Sequence, residues 1–446
     1  MERLLPGSHT GADALELFVE TSESVSIRWR DGSAEIAFGS RAGAGLRLRG
    51  RAGGILFRSL DDPSADGVAG AARSMLESDV PETQPCAPGR SIAPPPDRVA
   101  APSSWRAATD ACLGYIEEVA RSILGGSSAV TVEAQAQLYR QRVHHEWEGR
   151  IVEDERGGAR VEVRAGPRGG RQAGRRLADL DIARLAAREP AGAVGERIDL
   201  ALREKRGAAA RPRGEFPIIF EAGGCGALLH EIVHLFEEDT APGASPFFAR
   251  GEKVAAGMVS IIDDPGACPG RGTYRIDDEG VPAARTELVS KGMVAGTLTA
   301  RPPVAARETP GRAGNGRRGS YRDLPLPRMA CTFIEPGSSD PEDVLSGTPR
   351  GVLVSSVRSG EVDPGSATVT LIVDEGRLIE GGRATRLLGE AFIVAAARDL
   401  LVSIDAVCAD LRFDYGAGDC IKGEQAVPVI IGLPTLRLAT AHVMAP

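Results

Sequence analysis

Residues 216–236, Phe216-Pro217-Ile218-Ile219-Phe220-Glu221-Ala222-Gly223-Gly224-Cys225-Gly226-Ala227-Leu228-Leu229-His230-Glu231-Ile232-Val233-His234-Leu235-Phe236, decide how this chain is read. The first five residues read as a buried strand, the next six as a glycine-rich turn, and the remainder as a helix. Within the helix lies H-E-x-x-H. Positions i and i+4 share a helix face, so His230 and His234 can present imidazoles to one ion, and Glu231 can act as general base toward a water there. Zn²⁺ accepts neutral nitrogen donors and acts as a Lewis acid when one coordination position stays open. A hydrolytic metal site is the expectation.

Two histidines leave one protein ligand to find. Glu238 lies four residues past His234 on the same face and is the local candidate, although an acidic helix end is commonly a solvated surface. The alternative is a thiolate. Cys420 stands in a glycine-rich loop, residues 414–423, whose backbone can approach a site closely. Composition leaves both open.

Working outward, the chain divides into an N-terminal α/β-type domain over 1–206 and a C-terminal β-rich domain over 215–446, with 207–214 as the boundary. In the first, Val25, Ile27 and Trp29 alternate with polar residues. Asp31-Gly32 then turns the chain into Ala34, Ile36 and Phe38, a hairpin signature. Val68, Ala71, Ala72, Met75 and Leu76 recur at helical spacing, as do Trp105, Cys112, Ile116, Val119 and Ile123. The prolines of 81–102 read as a linker. Val130 to Leu138 and Val161-Val163 resume the sheet, and 175–206 reads as helix broken near Pro190. After residue 216, short β-like runs dominate. The fold class is therefore α+β: an N-terminal antiparallel sheet with packed helices, then a mainly β domain of twisted, barrel-like sheet carrying the metal-binding helix.

Composition limits the partners. In 446 residues, 53 Lys and Arg stand against 61 Asp and Glu, a net charge of −8 that argues against nucleic acid. No stretch has the length and apolarity of a membrane span, and the first 18 residues show no secretory h-region, so a cytoplasmic protein is expected. Seven scattered cysteines without a C-x-x-C pair are poor material for a disulfide framework and read as reduced thiols.

The helix segment resembles the metal motif of the TldD/PmbA family of metalloproteases, and the likeness runs through four further segments. These are Asp277-Asp278-Glu279-Gly280-Val281-Pro282; Gly314-Asn315-Gly316-Arg317-Arg318-Gly319-Ser320-Tyr321 on to Arg328-Met329; Ala384-Thr385-Arg386-Leu387-Leu388-Gly389; and Cys420-Ile421-Lys422 with Gln425, Pro428 and 432–436. Gly45-Leu46-Arg47-Leu48 extends it, loosely, into the first half. The resemblance implies that His230, His234 and Cys420 bind one zinc ion per active subunit and that Glu231 is the general base. Retention of the motif implies the TldD-like branch. The family also implies a homodimer, or a heterodimer with a TldE/PmbA-like subunit, cleaving unfolded or extended peptides, including leader removal from precursor peptides. Two features depart from the pattern. The motif is H-E-x-x-H where the family has H-E-x-x-x-H, and Ile421 and Glu424 stand where the family prefers glycine, so bulk there would narrow a substrate channel.

Arg317, Arg318, Tyr321 and Arg328 are candidates for gripping substrate, since guanidinium offers a bidentate fork; internal ion pairing is the competing explanation. His144-His145-Glu146 looks metal-like, but strand alternation would split the two histidines, and surface polar sites are expected. Gly223-Gly224-Cys225-Gly226 lacks the Lys-Ser/Thr of a phosphate loop. Cys225 between glycines at a strand-to-helix junction imitates a nucleophile elbow and supports a rival cysteine hydrolase. Two further alternatives are a tailoring hydrolase for a specialised peptide metabolite and a non-catalytic TldE-like binding subunit.

Overall fold

The computed structural model describes residues 14–50, 54–78, 103–124, 130–147, 149–205, 209–240, 247–300, 314–416 and 418–445. The proline-rich 81–102 segment lies outside these residues.

The first half is built on two long hairpins. Strand β1 (Ala14–Arg30) turns at Asp31-Gly32 into β2 (Ser33–Arg49). Both turn residues have positive φ, 44° and 91°, as a type I′ turn requires. Strands β3 (Ile55–Leu60), β4 (Thr131–Trp147), β5 (Arg150–Gly166) and β6 (Ala173–Asp179) complete an antiparallel sheet in the order β3-β2-β1-β4-β5-β6. Helix α1 (Ala65–Leu76), capped by the Ser64 hydroxyl, buries Val68, Ala72 and Met75 against Leu17, Leu46 and Leu48. Helix α2 (Ser103–Leu124) buries Trp105, Cys112, Ile116 and Val119 over Val25, Ile27, Val132 and Val161. Helices α3 (Ile182–Arg188) and α4 (Ala191–Glu204) join this core and meet at Pro190, where the missing N–H and fixed φ start a new helix. The expected helix over 175–206 is thus corrected at its start. Residues 173–179 pair with β5 as an edge strand, because alternate positions such as Ala173 and Leu177 reach the core.

In the second half, β7 (Gly214–Phe220) lies between Arg350–Asp363, which it pairs in parallel, and Leu436–Met444. Thr368–Glu380 and Ala391–Ala396 complete the ring, closing a five-stranded barrel. A second sheet, including Cys331–Ile334 and Ile430–Leu433, covers it, and one apolar core fills the space between. The α+β expectation, with a barrel-like second half, is observed.

Buried charge and one aromatic ring join the halves. Arg47 of β2 pairs with Glu16 and, across the junction, with Glu279. Asp278 receives Arg156 Nη1 at 2.7 Å and the Arg318 backbone N–H at 2.8 Å. The Tyr321 ring packs with Phe18 and Val143 and lies over Gly43, where a Cβ would come within 2.2 Å of Cζ. His145 and Glu146, expected on the surface, are 1% and 0% exposed. The loop at Gly280 covers that end of β4: a Cβ there would stand 2.6 Å from His145 Nδ1 and 2.4 Å from the Trp147 ring.

Candidate metal centre

Helix α5 (Ala227–Val233) follows β7 through the glycine turn. Gly223 takes φ +89°, and a Cβ on Gly224 would meet the Ser355 carbonyl at 2.3 Å, so the turn can lie flat against the barrel only without side chains at these positions. Leu228, Leu229, Ile232 and Val233 face the barrel core. His234 ends the helix and begins one 3₁₀ turn, His234–Phe236. Cys420 lies on the strand Asp419–Lys422 of a two-stranded hairpin with Gln425–Pro428.

His230, His234 and Cys420 converge, with one ligand atom from each inside a mutual 4.8 Å. His234 Nε2 stands 3.2 Å from His230 Nε2 and 3.4 Å from Cys420 Sγ. Tetrahedral zinc with ordinary bond lengths would separate two nitrogens by about 3.3 Å and a nitrogen from a sulfur by about 3.6 Å, so the donor set fits that ion. His234 Nδ1 lies 2.9 Å from Glu237 Oε2, so in the neutral ring that would bind a cation Nδ1–H donates and the Nε2 lone pair faces the cluster.

The electrostatics agree with a cation site. Burial would raise the Cys420 thiol, but His230 and His234 outweigh it and hold the thiol well below its usual range. Burial would lower His234, yet Glu237 and Cys420 push it up to about 10. Glu237, despite its burial, is drawn down to about 2 by His234, Lys422 and Arg328. Glu231 is 8% exposed. Burial raises its carboxyl, partly offset by His230 and His234, and the Val362 backbone hydrogen-bonds to it.

Glu238, the local alternative ligand, is exposed and outside the cluster. The four substrate-gripping candidates lie inside the protein: Arg317 is 3%, Arg318 6%, Tyr321 1% and Arg328 0% exposed. Arg317 donates to the Met329 and Pro428 carbonyls, Arg318 to those of Asp278 and Asp323, and Arg328 to those of Cys420 and Gln425. The Tyr321 hydroxyl donates to Asp61. Ile421 is 71% exposed and, by strand alternation, points away from the face Cys420 occupies. Cys225 is buried and donates to the Val354 carbonyl at 3.2 Å, with burial raising its thiol well above the usual range. That environment is unlike an activated nucleophile.

Sequence reasoning missed Glu237 and Lys422. Glu237 sits in the acidic stretch that ends the helix, and its spacing of three from His234 is the signal that could have found it. A cleft of about 860 Å³ between β6 and the barrel, lined in part by Arg176, Gly223, Arg358 and Arg412, includes none of His230, Glu231, His234 or Cys420. Among the described residues no helix is long and apolar enough to cross a membrane.

Residues 213–445 match the family described as the PmbA/TldA metallopeptidase C-terminal domain. The Metalloprotease TldD homolog of Buchnera aphidicola (subsp. Schizaphis graminum) is 33% identical over 230 residues, 51% of this chain and 47% of that protein. A metalloprotease of Methanocaldococcus jannaschii is 34% identical over 226 residues, 49% of this chain and 48% of that one. The chain thus matches about half the length of these curated relatives. Among solved structures, TldE of Thermococcus kodakarensis superposes with a TM-score of 0.71 at 19% identity, covering 97% of each chain, a likeness of fold.

Proposed function

The chain belongs to the PmbA/TldD metallopeptidase family, and on that premise we propose that it is a zinc-dependent peptidase acting on extended or unfolded peptides. The observation carrying the reading is the convergence of His230 Nε2, His234 Nε2 and Cys420 Sγ at spacings suited to zinc. These three would hold the ion. When bound, it supplies Lewis acidity toward a carbonyl oxygen and toward water. Glu231 takes the proton from the attacking water and delivers it to the leaving amine; its buried carboxyl is less acidic than usual, which suits both transfers. Arg328, donating to the Cys420 carbonyl, holds the hairpin that carries the thiolate.

An extended peptide offers its backbone for strand addition, which makes selection depend on unfoldedness more than on side chains. Leader removal from precursor peptides belongs to this substrate class. The partner is a second copy or a TldE-like subunit, a pairing supported by the fold likeness to a TldE. The reaction belongs in the cytoplasm, where Cys420 stays reduced; the six described cysteines are free.

Zinc stoichiometry of the parent beside His230→Ala, His234→Ala, Cys420→Ala and Glu231→Gln tests the reading. Metal is lost in the first three, and in the Glu231 variant metal is retained while peptide hydrolysis stops. A parent that hydrolyses peptides undiminished after exhaustive chelation overturns it.

A further inference from the structure

Beside the three convergent donors runs a hydrogen-bonded chain that meets His234 at Nδ1. The Glu237 side chain is wholly buried, and its Oε2 lies 2.9 Å from His234 Nδ1 and 2.8 Å from Lys422 Nζ. Lys422 comes from the opposite wall. It stands two residues after Cys420 on the same strand, so alternation directs both side chains to one face. Its ammonium also donates to Asp239 and, at 3.3 Å, to the Pro327 carbonyl. One carboxylate oxygen thus ties the turn bearing His234 to the hairpin bearing Cys420, segments 186 residues apart in the chain.

The need for such a tie is visible in the backbone. His234 sits where α5 gives way to a single 3₁₀ turn, so regular helix geometry alone does not aim its ring. The bond from Nδ1 fixes which nitrogen faces Cys420 Sγ and the angle at which it does so. Lys422 in turn holds the carboxylate against the imidazole.

We infer that Glu237 and Lys422 form a latch that positions His234 and the Cys420 strand for a divalent cation. The inference rests on reading His230, His234 and Cys420 as the ligand set. Glu237 and Lys422 are positioning residues; neither is assigned a bond to metal or substrate. The competing account is an ion pair that only ties the fold together, which would change the stability of the metal-free protein and leave affinity for the ion untouched.

Competition titrations with a chromophoric chelator separate the two, using zinc and cobalt(II) on the full chain, first stripped of metal, as parent, Glu237→Gln, Lys422→Gln, Lys422→Arg and the Glu237→Gln/Lys422→Gln double variant. Each Gln variant is expected to bind zinc about 10–100-fold more weakly, with an altered cobalt spectrum, and Lys422→Arg to recover most of the loss. The double variant should match the weaker single within about twofold, because both residues act through one chain of bonds. Glu237→Gln keeps the side chain's shape and carries the test alone should Lys422→Gln fail to fold. Single-variant affinities within about twofold of the parent, or losses that multiply in the double, overturn the latch. A parent that takes up neither ion overturns the ligand set and the latch with it.

Discussion

Gly360 lies directly against Glu231: a Cβ built on that glycine would stand 2.6 Å from Glu231 Cγ and 3.1 Å from Oε1. The barrel strand Arg350–Asp363 can approach the helix this closely only because the position has no side chain, and the nearby Val362 backbone hydrogen-bonds to the carboxylate. Gly360→Ala should displace Glu231 while leaving the donor atoms in place. A misplacement near 1 Å can cost about 10²-fold in rate, so kcat/KM on a fluorogenic peptide should fall by roughly that factor at unchanged zinc content. Activity within a few-fold of the parent would remove Glu231 from the proton-transfer role.

Cys225 is the residue on which the rival chemistry depends. Its thiol is buried, donates to the Val354 carbonyl and is raised by burial, so it is protonated at neutral pH. Cys225→Ala should cost about 1 kcal/mol of stability, mainly from the lost bond and contacts, and leave metal content and turnover close to the parent's. Abolished turnover with full zinc occupancy would restore the cysteine-hydrolase reading.

Much of the fold was legible because its local signals agree with its packing. Asp31-Gly32 announced a hairpin, and the spacing of Val68 to Met75 and of Trp105 to Ile123 announced amphipathic helices, each on one apolar face. The H-E-x-x-H pair was legible because helix periodicity alone brings i and i+4 together. Cys420 was not, since nothing local says which distant loop returns to the helix; only the family resemblance selected it. The segments at 277–282 and 314–328 were recognisable by pattern, but whether their arginines grip substrate or pair internally was not legible from the sequence. Their arginines and acids satisfy one another and the backbone at the junction of the two halves, a pairing of residues remote in sequence. His145 was misassigned for the same reason: the loop that buries it lies 135 residues further on.

The junction itself can be tested at Gly43. A Cβ there would fall within 2.2 Å of the Tyr321 ring, whose hydroxyl is anchored on Asp61 at 2.5 Å and whose backbone N–H is held by Glu20 at 2.9 Å. The ring therefore has little freedom to yield. Gly43→Ala should lose about 1–3 kcal/mol in chemical denaturation, the usual range for overpacking. On a Tyr321→Ala background the same change should cost much less, and the two should be strongly non-additive. Additive losses would mean that Gly43 is needed for some reason other than this contact.

Asp263 carries a pH signature away from the candidate centre. It is fully buried. Its Oδ1 accepts the Ala330 N–H at 2.9 Å and the Thr332 hydroxyl at 2.6 Å, while Oδ2 has no hydrogen-bond partner among the described residues. Burial pushes its carboxyl up to about 6, outweighing those two bonds. A carboxyl raised on folding binds its proton more tightly in the native state than in the unfolded one. Its destabilising effect is therefore absent below the unfolded value near 3.9, grows as pH rises, and is complete above about 6. Two pKa units correspond to roughly 3 kcal/mol at neutral pH. Asp263→Asn keeps an Oδ1 acceptor for both donors and removes the charge, so it should raise stability at pH 7 by about 1–3 kcal/mol, the gain shrinking toward zero near pH 4. Urea midpoints of the two proteins across pH 4–7.5 provide the check. A variant less stable than the parent at pH 7, or a difference that does not change with pH, would show that the carboxylate is better solvated than its burial implies.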